Sequence, residues 1–264
     1  MQPHRPRKRF GQNFLHDPRI LDQIVAAIAP RADDAMVEIG PGQGALTWRL
    51  LRHLARLTVV EIDRDLVAAL RAAPEGADRL DVREADALRF DFAALDTDTR
   101  PLRVVGNLPY NISTPLLFHL LEAAASIQDM HFLLQREVVD RLAAAPGSAH
   151  YGRLSVMVQY RCTVEKLFEV GPGAFKPAPK VHSAIVRLRP RPRPVIEALD
   201  TALLAQVVRQ AFSQRRKILS GSLRGLAEAT DFAAASIDPG LRPERLEITE
   251  FVRLSNNIAA RNGR

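Results

Sequence analysis

The chain has 264 residues, 47% of them apolar and 25% charged, which suits one large domain plus a small one around ordinary cores. No apolar run approaches the roughly 18–20 residues that span a bilayer, and no apolar signal core follows the basic N-terminus, so the chain reads as cytoplasmic and without a membrane partner. The net charge of +7 and an isoelectric point near 10.1 favour a polyanionic partner.

The N-terminal arm His4-Arg5-Pro6-Arg7-Lys8-Arg9 is basic. Asp17-Pro18 is a helix start, a carboxylate cap followed by Pro in the first turn. Ile20, Leu21, Ile24, Val25 and Ile28 continue it at helical spacing. Met36–Ile39 reads as a buried strand and leads into Gly40-Pro41-Gly42-Gln43-Gly44, then a helix carrying Leu46, Leu50, Leu51 and Leu54. Leu57–Asp63 and Leu80–Asp86 read as further strands, with a helix from Leu66 to Ala73 between them. Val104–Gly106 is a fourth strand, a helix follows from Leu116 to Ala124, and Met130–Gln135 is a fifth. Helices near Glu137–Ala144 and Gly152–Tyr160 come next. The single cysteine, Cys162, excludes an internal disulfide and a multi-cysteine zinc site, and its strand-like surroundings read as those of a buried small hydrophobe. Two strands, Thr163–Val170 and Val181–Leu188, flank a Pro-rich loop. This alternation predicts an α/β layered fold over residues 1–188. Arg189-Pro190-Arg191-Pro192-Arg193-Pro194 then reads as a stiff linker. Residues 189–264 read as a small all-helical domain, helical from Ile196 to about Ala260.

The glycine loop lets a ligand approach the backbone and presents free N–H groups at a helix start. Its spacing is G-x-G-x-G, so the last glycine falls one residue earlier than in the dinucleotide fingerprint. Glu61, about 20 residues on, can accept both hydroxyls of a ribose. The competing reading is a tight βα turn with an ordinary surface Glu. Asp86 suits an adenine amine or, equally, a helix cap.

Asn107-Leu108-Pro109-Tyr110 ends the fourth strand, where ligands bind in this fold class. The lone pair on adenine's amino nitrogen is delocalised into the ring. Two neutral acceptors, the Asn107 side-chain oxygen and the Leu108 carbonyl, can each take one of its N–H groups. That draws the nitrogen toward a tetrahedral shape with its lone pair aimed at a methyl donor. Pro109 stiffens the loop, and preorganisation supplies rate. Tyr110 is placed to stack on an extruded base. Phe175, in Phe175-Lys176-Pro177-Ala178-Pro179-Lys180-Val181, would form a second aromatic wall facing Tyr110. A solvated Pro-rich turn is the alternative.

Together these segments resemble the small-subunit (16S) ribosomal RNA adenine N6,N6-dimethyltransferase family over nearly the whole chain. The likeness rests on Arg9–Leu15, the glycine loop, Glu61-Ile62-Asp63, Val105–Ser113, Leu134–Val138, Tyr151–Ser155, Phe175-Lys176-Pro177 and Arg215-Arg216-Lys217. The resemblance implies a Rossmann-like sheet with helices on both faces and S-adenosyl-L-methionine as methyl donor. It puts cofactor contacts on Asn13, Leu15, Gly40, Gly42, Glu61, Asp86 and Asn107. It implies dimethylation of two adjacent adenines in the 3′-terminal hairpin of small-subunit RNA, late in 30S assembly. Gln43, where relatives usually carry an apolar residue, His182, where bacterial relatives often have Asp, and Ser220-Gly221 depart from the family pattern.

Of 37 cationic side chains only five are Lys, leaving 32 Arg. Guanidinium forks suit phosphate, whereas a GC-rich genome raises Arg content without functional cause. The clusters at Arg7, Lys8 and Arg9, at Lys176 and Lys180, in the Arg-Pro stretch, and at Arg215, Arg216 and Lys217 bracket the site and read as RNA contacts. A monomer acting on the immature 30S particle is expected, with no metal. The rivals are a large-subunit RNA adenine methyltransferase and an assembly factor whose RNA binding matters more than its catalysis.

Overall fold

The computed structural model of the chain describes residues 12–76, 78–95, 100–214 and 216–263. Arg7, Lys8, Arg9 and Arg215 lie outside them.

Runs rich in Val, Ile and Leu form the strands, as their β-propensity and double-sided burial dictate. Strand β1 (Phe14–Leu15) precedes helix α1 (Pro18–Ile28), which Asp17 caps by accepting from the amides of Arg19 and Ile20. Leu21, Ile24, Val25 and Ile28 are its buried face. Next come β2 (Met36–Ile39), α2 (Thr47–Leu50), β3 (Leu57–Glu61), α3 (Arg64–Arg71), β4 (Leu80–Glu84) and β5 (Leu102–Asn107). They are followed by α4 (Ser113–Glu122), β6 (Ile127–Gln135), α5 (Arg136–Leu142), α6 (Arg153–Arg161), β7 (Cys162–Val170), β8 (Phe175–Lys176) and β9 (Ser183–Pro190). Among the described residues four α-helices follow: α7 (Thr201–Ala211), α8 (Leu219–Ser222), α9 (Ala229–Ala235) and α10 (Ile248–Asn262).

Seven strands form one sheet in the order β4-β3-β2-β5-β6-β9-β7. Strands β4, β3, β2, β5 and β6 run parallel, and β9 is antiparallel to β6. The order runs outward from β2 through β3 to β4, then returns to β5 on the other side of β2. Right-handed crossovers in two opposite directions put their helices on opposite faces. The reversal at β2 and β5 is a topological switch point, which opens a crevice at the strands' carboxyl ends.

Regular helix after the glycine loop is shorter than the Leu spacing predicts, only Thr47–Leu50, and the chain continues in turns to His53. Leu46, Leu50, Leu51 and Leu54 are nonetheless all buried, because one-sided burial needs the spacing and not an unbroken helix. The expected Arg-Pro linker also begins later than predicted, since β9 runs through Arg189 and Pro190. Pro190 ends the strand, a position where its missing N–H breaks no ladder.

The chain divides into two units. One holds residues 1–139 and 164–190, the other residues 140–163 and 191–264. The expected boundary at 188/189 therefore needs correction, because a segment from mid-chain belongs to the C-terminal unit. Tyr151, Val156 and Tyr160 are the reason: they share a buried cluster with Leu204, Val208, Phe251 and Leu254. The Tyr151 hydroxyl donates to the Leu246 carbonyl at 3.0 Å, and the Ala198 amide donates to the Tyr160 hydroxyl at 3.0 Å.

Candidate functional site

A cavity of about 270 Å³ opens at the carboxyl ends of β2, β3 and β5. Its walls come from the glycine loop, the Glu61–Ile62 corner, the Ala85–Leu88 turn, the Gly106–Ile112 loop and the N-terminal segment Gln12–Leu15.

The glycines are required by their backbone and their neighbours. Gly42 has φ +58°, and a Cβ there would stand 3.0 Å from the Phe14 ring. At Gly44, φ +81°, it would stand 2.4 Å from Nε1 of Trp48. The loop is therefore packed on one side and free to meet a ligand on the other.

Glu61 is the best-tied carboxylate of the site. Its Oε1 accepts from the amides of Ile62 and Asp63, both at 2.9 Å, and its Oε2 accepts from the Gly42 amide at 3.3 Å. A carboxylate offers about four lone-pair directions, so Oε2 keeps capacity for another donor. Burial pushes its pKa up, against the three amides that hold it down. Asp86 lines the cavity and its Oδ1 accepts from the Leu88 amide at 3.0 Å. Asp86 therefore faces the cavity, and what its side chain caps is the turn at residues 87–89, not the expected helix.

Asn107 ends β5, and its Nδ2 donates to the Asn13 carbonyl at 3.0 Å. This fixes the amide's orientation and leaves Oδ1 uncommitted among the described residues. The Leu108 side chain is buried and its amide donates to the Leu133 carbonyl at 3.2 Å. The Ile112 amide donates to the Pro109 carbonyl at 3.2 Å, and the Ser113 hydroxyl to the Tyr110 carbonyl at 3.1 Å. These bonds fold Pro109–Ser113 into the turn that opens α4. The half-buried Tyr110 has its hydroxyl 2.9 Å from Ser183 Oγ. Burial raises its pKa, and the Ser183 bond opposes that rise.

Every residue expected at the cofactor (Asn13, Leu15, Gly40, Gly42, Glu61, Asp86 and Asn107) lines this one cavity, as do Leu108, Pro109 and Tyr110. Phe175 does not. It is 3% exposed, pairs with Leu15 across β1 and β8 and belongs to the core cluster with Val170 and Ile185. The expectation of Phe175 as an aromatic wall facing Tyr110 is therefore corrected: adjacent strand residues point to opposite faces, so Phe175 enters the core while Lys176 is exposed. Lys180 is also exposed, as are Arg216 and Lys217 in the second unit.

Three features in or beside the cavity escape sequence reading. Glu38 is buried and receives the Thr47 hydroxyl at 2.6 Å. Burial, helped by Glu61 and opposed by Thr47, raises its pKa to about 7. The signal was a carboxylate inside an apolar strand. His131 lines the cavity with neither ring nitrogen hydrogen-bonded, and burial, opposed by Asp129 and aided by Arg103, lowers its pKa to about 4. Beneath it, Arg103 makes a paired bond to Asp129, both contacts at 3.0 Å, and reaches Asp34 at 2.6 Å. The third feature is Ser183, for which the sequence offers no local signal.

Comparison with known proteins gives this geometry a family. A family profile described as Ribosomal RNA adenine dimethylase matches residues 3–260. The Ribosomal RNA small subunit methyltransferase A of Pseudomonas aeruginosa is 57% identical over 256 residues, 97% of this chain and 96% of that protein. The protein of the same name from Aromatoleum aromaticum is 57% identical over 266 residues, 100% of this chain and 98% of that one. Among solved structures, a dimethyladenosine transferase from Plasmodium falciparum matches with a TM-score of 0.76 and 27% identity, over 91% of this chain and 95% of that one. The 23S rRNA methyltransferase ErmE matches with a TM-score of 0.70 and 27% identity, over 94% and 100% of the two chains. Matched from end to end by profile, relatives and fold, the chain belongs to the ribosomal RNA adenine dimethylase family.

Proposed function

We propose that this protein uses S-adenosyl-L-methionine to dimethylate two adjacent adenines in the 3′-terminal hairpin of small-subunit ribosomal RNA. The observation that carries the mechanism is the bond from Asn107 Nδ2 to the Asn13 carbonyl. An amide on the cavity wall whose nitrogen is so engaged has its oxygen left to accept from a ligand, and an oxygen is what an adenine amino group needs.

The residues present fit the donor. Gly40 and Gly42 bring backbone to the cavity wall, Oε2 of Glu61 has capacity for a ribose hydroxyl, and Asp86 keeps a carboxylate oxygen for an adenine amine. Asn13 and Leu15 complete the wall beside Asn107. When bound, the donor supplies a methyl group on a sulfonium, which leaves as a neutral thioether. The protein's own part is to prepare the nucleophile. Asn107 Oδ1 and the Leu108 carbonyl accept the two N–H groups of the adenine amine before the first transfer and share the one that remains before the second. The amine's lone pair thereby leaves conjugation with the ring, and each transfer releases one amine proton to water. Pro109 holds those acceptors in place, and Tyr110 stacks on the base. Lys176, Lys180, Arg216 and Lys217, with Arg7, Lys8, Arg9 and Arg215, contact phosphate, and the helical C-terminal unit serves as an RNA-binding domain. The protein acts as a cytoplasmic monomer on the immature 30S particle. The small-subunit target is favoured over the large-subunit one because the relatives at 57% identity carry the small-subunit name.

Undermethylated 30S particles and large subunits, each incubated with labelled donor and digested for mass spectrometry, test the target. Dimethyladenosine is expected from 30S RNA alone; its appearance only in large-subunit RNA overturns the assignment. Asn107→Ala is expected to lower turnover by about 10²- to 10³-fold, as loss of one preorganised polar contact does elsewhere, with RNA affinity nearly unchanged by filter binding. Wild-type turnover in that variant removes Asn107 from the mechanism.

A further inference from the structure

Tyr110 sits in the loop after β5, and β6 lies between β5 and β9 in the sheet. Its hydroxyl nevertheless reaches Ser183 Oγ, at 2.9 Å, on the first residue of β9. The register explains how. Asn107 is paired with Leu133 on one side of β6, and Ser183 with Gln135 on the other. The phenol therefore bridges the carboxyl end of β6, anchored by its Cα at one end and its oxygen at the other. A ring held at both ends has its long axis fixed, and with it the distance at which its face meets a base. Ser183 is fully buried and lies outside the cavity wall to which Tyr110 belongs, so it meets a ligand only through the phenol.

We propose that Ser183 is a positioning residue that fixes the long axis and the far end of the Tyr110 ring for stacking on the target base. This rests on the reading of the cavity as an adenine-accepting site.

The chain has three tyrosines, so ring-labelled tyrosine gives a resolvable NMR spectrum. In S183A the Tyr110 signals, assigned by their loss in Y110F, are expected to shift and broaden while those of Tyr151 and Tyr160 stay in place. Unmoved Tyr110 signals overturn the proposal whatever the substrate is. Kinetics on 30S particles then test the role. S183A and Y110F are each expected to lower kcat about three- to tenfold, the usual range for one neutral hydrogen bond. Donor affinity by calorimetry should stay unchanged, and the double variant should be no slower than either single one. Multiplying losses, or a loss confined to donor affinity, would show that Ser183 acts otherwise than through Tyr110. Failure of the underlying reading looks different: wild-type protein would then form no dimethyladenosine while the S183A ring shift persists.

Discussion

Glu38 and His131 flank Val105 in one row across the sheet, and burial moves their titrations in opposite senses. The folded state keeps a proton on Glu38, at about 7 against an ordinary 4.5, that the unfolded chain has already lost. Its contribution is full below 4.5 and fades as pH rises through 7. His131, at about 4 against an ordinary 6.5, refuses a proton that the unfolded chain accepts. Its contribution is full above 6.5 and fades as pH falls toward 4. Between pH 4.5 and 6.5 the two slopes oppose each other. Relative to wild type, H131Q should lose stability with rising pH across that window and E38Q should gain it, each by up to about 1.4 kcal/mol per pH unit. Urea unfolding at a series of pH values reads both, and curves parallel to wild type would remove these groups from the linkage. At this scale the sequence was legible where chemistry and position coincide. Asn107 and Glu61 stand at strand carboxyl ends, where parallel sheets bind ligands. It misled at Phe175, because a one-residue step along a strand turns a side chain from solvent to core, and only Leu15, far away in sequence, decides which.

Strands β2 and β5 carry the two halves of the site, and Gly106 sets their approach. A Cβ on Gly106 would stand 2.5 Å from the Ile39 carbonyl oxygen, a backbone atom that moves only if β2 moves. Gly106→Ala is therefore expected to push apart the strands that lead to Gly40 and Asn107. The expected loss is about 1–3 kcal/mol of stability, typical of overpacking, together with weaker donor binding. Gly171→Ala is the control, since nothing lies within 4 Å of a Cβ there, and its stability should stay within about 0.5 kcal/mol of wild type. Chemical denaturation and calorimetry compare the two, and equal behaviour would show that β2 yields freely. The run Val104-Val105-Gly106 announces a strand, yet only the parallel pairing of β5 with β2 reveals why its last apolar position is glycine. The Tyr110–Ser183 contact was illegible for the same reason. Its partners are separated by 73 residues, and the β6–β9 register joins them.

Each of the two units has a buried apolar cluster of its own, and the chain's path between them crosses the boundary that composition marks. The Arg-Pro stretch is conspicuous because proline is conspicuous, while the segment from residue 140 to 163 carries no such mark, and only the packing of its apolar face shows where it belongs. A fragment ending at residue 190 keeps the seven strands of the sheet but strands Tyr151, Val156 and Tyr160 without the partners that bury them. Their removal from water is a large share of what makes that segment fold, at about 1.5–3 kcal/mol for each large apolar side chain. The Tyr151 hydroxyl also loses the Leu246 carbonyl. The fragment is expected to bind a hydrophobic dye strongly and to aggregate. Replacing residues 140–163 in the same fragment with a flexible Gly/Ser linker of about ten residues should reduce both while leaving the sheet's hydrogen-exchange protection in place. If the unmodified fragment proves as soluble and as dye-silent as the linked one, residues 140–163 need no second unit, and composition placed the boundary better than the buried cluster does.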